Sequence, residues 1–209
     1  MLDRILAKRI VPVVVLEEAK DAEPLAEALL AGGLDIMEIT FRTAAAAESI
    51  QRIAKAFPEI LLGAGTLLEP DQVSSARDSG ATFGLAPGLN PQILEKAKEV
   101  GLQFSPGVMT PSDIEQAISL GCKLLKFFPA GAAGGPGMLK ALAGPYAHTG
   151  VKFVPTGGIS SKNLGDYLAL PVVAAIGGSW MVDKKLVADG NWAEITRLTK
   201  EALAAAAAV

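Results

Sequence analysis

The sequence predicts an α/β fold: a single-domain (β/α)8 TIM barrel over residues 1–209, with a short N-terminal helix. Three observations predict it. Short apolar, β-branched runs alternate with longer helix-period segments along the whole chain, eight such pairs in all. The runs are almost continuously hydrophobic, as in parallel strands covered by helices. No G-x-G-x-x-G follows the first run, which disfavours an open dinucleotide-binding sheet.

Residues 2–8 suit a short helix ahead of the first strand, Ile10–Val15. A helix over 18–31 leads to the strand Leu34–Ile39, and Ala31-Gly32-Gly33 closes that helix in the left-handed conformation glycine tolerates. A helix over 44–57 precedes the strand Ile60–Ala64. Pro70, Pro91 and Pro111 stand in the first turns of helices over 70–79, 91–100 and 111–120. Gly80, Gly101 and Gly121 end them, and the strands Thr82–Ala86 and Leu102–Ser105 lie between. The sixth strand, Lys123–Phe128, is followed by a helix over 136–143. The seventh, Lys152–Pro155, is followed by one over 161–169 with Ser161 as N-cap. Val172–Ile176 is the eighth strand. A last helix over 191–207, capped by Asn191, runs into the alanine tail.

Composition excludes several kinds of chemistry. Lys and Arg number 19 against 22 Asp and Glu, a net −3 too small and too scattered for a nucleic-acid binder. One cysteine rules out a disulfide within the chain, and one cysteine with one histidine rules out the usual zinc ligand sets. A triad would have to use His148. Arg4, Lys8 and Arg9 precede the apolar stretch Ile10–Leu16, but Glu17-Glu18-Ala19-Lys20 follows instead of a cleavage site. No apolar run approaches the roughly 20 residues that span a bilayer. A cytoplasmic protein with no membrane or nucleic-acid partner is expected.

The run Lys123-Leu-Leu-Lys-Phe-Phe-Pro129 is the most informative. Alternation puts Leu124, Lys126 and Phe128 on one face. Lys126 sits mid-run among leucines and phenylalanines, so burial should disfavour its charged form. An uncharged amine is a nucleophile suited to a Schiff base; a structural ion pair or a snorkelling side chain is the plainer alternative. In Leu34–Thr43, Ile36, Glu38, Thr40 and Arg42 share a face. Glu38 would be buried, where an unpaired carboxylate is costly, and Arg42 falls just past the strand end. Proton transfer by Glu38 and carboxylate binding by Arg42 is one reading. A self-satisfying pair of Glu38 with Arg42 or Lys126 is the other.

Glycine-rich turns follow two late strands, Val154-Pro-Thr-Gly-Gly-Ile159 and Ile176-Gly-Gly-Ser-Trp180. There (β/α)8 barrels hold a phosphate on backbone N–H groups, although a glycine pair can also be only a tight turn. Gly63-Ala-Gly-Thr66 is a weaker signal, with Thr66 at the correct strand end. His148 reads as a surface residue, Cys122 as near-core, Trp180 and Trp192 as helix packing, and Met37 and Met109 as core filler.

Taken in order, Glu38 and Arg42 in M-E-I-T-F-R-T, Thr66 in G-A-G-T, Pro87-Gly88, Lys126 in L-K-F-F-P-A, Thr156 in P-T-G-G-I and Ser179 in I-G-G-S-W resemble one family. It is the 2-keto-3-deoxy-6-phosphogluconate (KDPG) and 4-hydroxy-2-oxoglutarate aldolases. The resemblance runs from about Val11 to Trp192 and implies a (β/α)8 barrel that forms a homotrimer and uses no metal or other cofactor. It matches Lys126 to the Schiff-base lysine and Glu38 to the acid/base. Arg42, Thr66, Pro87 and Phe128 match the pyruvate end, and Thr156, Gly157, Gly158, Gly178 and Ser179 the phosphate end. Ala86 and Gly131 depart from the serine and glutamate many members carry, and bear on substrate preference.

The implied reaction takes a small phosphorylated keto-acid, cleaved through a lysine-bound iminium to pyruvate and glyceraldehyde 3-phosphate. Alternatives are 4-hydroxy-2-oxoglutarate or 2-keto-3-deoxy-6-phosphogalactonate as substrate on the same site. Further rivals are a non-covalent isomerase and a sugar-phosphate binding barrel.

Overall fold

The computed structural model describes residues 2–209, in which parallel strands are backed by helices. Nine strands occur among the described residues: β1 (Ile10–Val14), β2 (Ile36–Thr40), β3 (Leu61–Gly65), β4 (Phe83–Leu85), β5 (Gln103–Ser105), β6 (Gly107–Val108), β7 (Leu124–Phe127), β8 (Lys152–Pro155) and β9 (Ile176–Gly178). The helices are α1 (Leu2–Lys8), α2 (Ala22–Ala31), α3 (Ala46–Ala56), α4 (Pro70–Asp78), α5 (Pro91–Glu99), α6 (Pro111–Ser119), α7 (Gly135–Ala143), α8 (Leu164–Leu168), α9 (Lys184–Ala188) and α10 (Trp192–Ala207).

The strands form a curled six-stranded sheet, ordered β5-β4-β3-β2-β1-β9, and a three-stranded sheet, β6-β7-β8, with every pairing parallel. Two isolated parallel bridges, Phe153 to Val173 and Thr156 to Gly177, join β8 to the chain around β9. The ladder is therefore not the unbroken eight-stranded ring that the repeat pattern suggests. Proline explains one break. Pro106 has no N–H to give, so β5 ends at Ser105, as the run Leu102–Ser105 predicts, and an additional strand, β6, follows the proline, with Lys126 N donating to Pro106 O at 2.8 Å.

Several element ends shift by one to four residues from expectation, and two of these shifts lie near the late glycine-rich stretches. The last strand is Ile176–Gly178, not Val172–Ile176, because Ile176, Val11 and Pro12 set its register: Ile10 faces Ile176 and Pro12 faces Gly178. The glycine pair read as a turn is thus inside the ladder. The helix expected from Ser161 begins at Leu164, and Asn163 Oδ1 instead accepts from Ser160 N at 2.9 Å. Asn191 does cap α10, accepting from Glu194 N, and Gly33, Gly80, Gly101 and Gly121 all take positive φ. The short α9 carried no periodic signal long enough to read.

The alternation of each strand divides the apolar residues into two layers. Met37 and Ile39 of β2, with Leu125 and Phe127 of β7, face the helices and belong to the large outer core. Ile36, Leu61, Phe83, Leu85, Leu124 and Val154 fill the inside of the curl. Ile5 of α1 joins that inner layer. Arg4 fixes α1 there by donating to Asp35 Oδ2 at 2.7 Å and to Glu59 O at 2.6 Å. The N-terminal end is closed by packing, which leaves the C-terminal strand ends for polar side chains.

Candidate active site

Two residues beyond Ile36 on β2, and two beyond Leu124 on β7, the inward positions become Glu38 and Lys126. Both are almost wholly buried, 1% and 5% exposed. Lys126 Nζ donates to Glu38 Oε1 at 3.2 Å, joining strands 88 residues apart in sequence. The nitrogen also lies 5.8 Å from the centre of the Phe128 ring. Space for the pair comes from β3, whose inward positions beyond Leu61 are Gly63 and Gly65. A buried ion pair seldom stabilises a fold more than packed hydrophobes of the same volume. This one sets an amine nucleophile beside a proton acceptor.

Arg42 follows β2, exposed to solvent, and its Nε donates to Thr40 Oγ1 at 3.1 Å. Arg42, Phe128, Thr156, Gly157, Gly158, Gly178 and Ser179 come together around a cleft of about 170 Å³, with Val13, Ile159 and Gly177. Gly157 and Gly158 take φ of 95° and 76°, a left-handed turn that a side chain would strain. Thr156 fits beneath β9 because Gly177 has no β-carbon: one there would lie 2.3 Å from Thr156 Oγ1. Gly131 N donates to Gly157 O at 2.8 Å, so position 131 rests directly on the glycine turn.

Pro87 and Phe128 border a second cleft of about 330 Å³ beside Gly107, Met109 and Asp113. Phe128 is common to both. Thr66 lines neither cleft, but it is held just past β3 at φ 58°, a conformation a β-branched residue adopts only under strain. Such strain collects at functional sites. Val13 carries no chemical signal in the sequence, since it is one apolar residue within an apolar strand, whereas Gly177 belongs to the glycine pair of Ile176–Trp180. Thr40 did share the readable face with Glu38 and Arg42.

The remaining candidates fall away from the cleft. His148 is exposed in a 3-10 turn, Gly144–Thr149. Cys122 is half-buried, and burial pushes its thiol up. Met37 is fully buried, but Met109 is 43% exposed and not core filler: it sits in the loop after β6, at the mouth of the second cleft. Trp180 and Trp192 pack against the outer core. Among the described residues, no three His, Cys, Asp or Glu side chains are grouped to hold a metal ion, and no helix is long and apolar enough to cross a membrane.

The chain matches the sequence profile of the KDPG and KHG aldolases over residues 2–198. It is 45% identical to the 2-dehydro-3-deoxy-phosphogluconate aldolase of Haemophilus influenzae, across 97% of this chain and 95% of that one. Identity to the KHG/KDPG aldolase of Escherichia coli is 44%, across 93% of this chain and 90% of the other. Among solved structures, the KDPG aldolase of Legionella pneumophila, with pyruvate captured at low pH as a covalent carbinolamine, superposes with a TM-score of 0.91. It is 41% identical, over 95% of this chain and 96% of that one.

Proposed function

The chain belongs to the KDPG and KHG aldolase family, and from that premise we propose that it is a class I aldolase. It cleaves 2-keto-3-deoxy-6-phosphogluconate to pyruvate and glyceraldehyde 3-phosphate. The observation that carries the residue assignment is the buried Lys126 amine 3.2 Å from Glu38.

Lys126 Nζ gives a proton to Glu38 and adds its lone pair to the C2 ketone. The carbinolamine hydroxyl takes that proton back from Glu38 and leaves as water, giving an iminium beside the carboxylate gripped by Arg42 and Thr66. Glu38, as carboxylate, removes the C4 hydroxyl proton. The C3–C4 electron pair then flows into the iminium, giving an enamine and free glyceraldehyde 3-phosphate. Glu38 returns its proton to C3 of the enamine, and water hydrolyses the resulting iminium to pyruvate and Lys126. The iminium is the electron sink, so the reaction as written requires no metal and no other cofactor.

Pro87 and Phe128 border the pyruvate end. Thr156, Gly157, Gly158, Gly178 and Ser179 hold the phosphate, and their convergence on one cleft supports this. Residues 1–209 form one closed (β/α)8 barrel domain on this reading, supported by the bridges between β8 and the β9 segment. A homotrimer and a cytoplasmic setting belong to the same reading, and sedimentation equilibrium tests the first.

Borohydride reduction with pyruvate, followed by mass spectrometry, tests the assignment. A reduced three-carbon adduct on Lys126 is expected; none on the native enzyme excludes the covalent route. Pyruvate release coupled to lactate dehydrogenase then ranks the phosphogluconate against the phosphogalactonate and 4-hydroxy-2-oxoglutarate.

A further inference from the structure

We propose that Thr40 is a positioning residue, aiming the Arg42 guanidinium at the substrate carboxylate; the proposal rests on the aldolase reading above. Thr40 is 1% exposed, at the last position of β2, on the same inward face as Glu38. Its hydroxyl hydrogen is committed, because Oγ1 donates to Val14 O on the neighbouring strand at 2.9 Å. That bond turns an oxygen lone pair toward the loop, where Arg42 Nε–H takes it at 3.1 Å.

The direction of this relay gives it its effect. An arginine in a loop has many rotamers, and holding Nε removes most of that freedom. Anchoring through Nε leaves both Nη groups to meet a carboxylate side by side. Arg42 forms no ion pair among the described residues, so Thr40 is the fixed point from which its fork projects. A purely structural Thr40 would need only its bond to Val14. The second bond points outward, to a side chain that borders the cleft.

The test compares Thr40→Val, Thr40→Ser and Thr40→Ala, each in the native and Arg42→Ala backgrounds. Readouts are KM, kcat and the pyruvate concentration giving half-maximal borohydride trapping on Lys126. Removing the acceptor should raise KM and the half-trapping concentration about tenfold while kcat moves much less. Thr40→Ser keeps the acceptor and should stay near the native values. Without Arg42, losing the Thr40 hydroxyl should add nothing further. A folded Thr40→Val or Thr40→Ala enzyme with native half-trapping would overturn the proposal, as would an equal effect in the Arg42→Ala background. Failure of native enzyme to trap pyruvate at any concentration overturns the aldolase reading itself.

Discussion

A β-carbon on Gly65 would lie 1.8 Å from Oε1 of Glu38. The carboxylate therefore occupies space that any other residue type at position 65 would fill, and the absence of a side chain there fixes where the acid can sit. Gly65 and Glu38 are near neighbours across the β2–β3 pair, in which Glu38 faces Gly63 and Thr40 faces Gly65.

Gly65→Ala should accordingly act on chemistry through Glu38. Displacing the carboxylate from Lys126 should lower kcat by about a hundredfold, within the usual range for lost general acid–base assistance. Overpacking should cost about 1–3 kcal/mol of stability. Steady-state kinetics with urea denaturation check both, and an unchanged kcat would show that the acid works from a different position.

The Lys126–Glu38 pair offers a direct contrast between stability and activity. Lys126→Met alone strands a buried carboxylate and should destabilise by about 3–5 kcal/mol; pairing it with Glu38→Leu should restore or exceed native stability. Both variants should be inactive. Denaturation midpoints and the coupled pyruvate assay measure this, and a double variant far less stable than the native protein would mean the pair supports the fold.

Ser179→Ala and Arg42→Ala should separate the two ends of the substrate. Loss of the Ser179 hydroxyl should raise KM about tenfold for phosphorylated substrate and leave that for 4-hydroxy-2-oxoglutarate unchanged. Arg42→Ala should raise KM for both. Equal effects of Ser179→Ala on the two substrates would remove it from the phosphate site.

Asp35 supplies a pH-dependent contribution at the opposite end of the molecule. Burial alone would raise its carboxyl, but the Arg4 hydrogen bond, its own backbone N–H and the nearby Lys8 charge hold it below the usual carboxylate range. A lowered folded value favours the native state above the unfolded value and loses that benefit as pH falls through the folded one. Both partners are about a third exposed or more, so Asp35→Asn should cost under about 1 kcal/mol at pH 7. That difference should shrink toward zero as pH falls through the lowered folded value. Chemical denaturation across pH checks it; a difference that persists in strong acid would assign the effect to packing.

Much of this site is legible in the residues themselves. Period-two alternation puts Glu38 and Lys126 on inward faces, and a charged residue in an oily strand is conspicuous because its burial needs compensation. The glycine-rich stretches of two late strands mark the cleft that Arg42 borders. Other features left no such mark. Val13 borders the cleft as one valine among several, and the strand break at Pro106 depends on what lies beside it. Asn163, not Ser161, shapes the entry to α8 because the Ser160 N–H is within its reach.

The sequence by itself determined the alternation of strands and helices, the parallel arrangement and which side chains turn inward, because these follow from local periodicity and from proline and glycine chemistry. Only the tertiary structure decided that the amine of β7 meets the acid of β2, that Gly65 vacates the space the acid occupies, and that Thr40 holds Arg42. Those facts depend on register between strands distant in sequence, and the close packing that sets register is a property of the assembled sheets, not of any one segment.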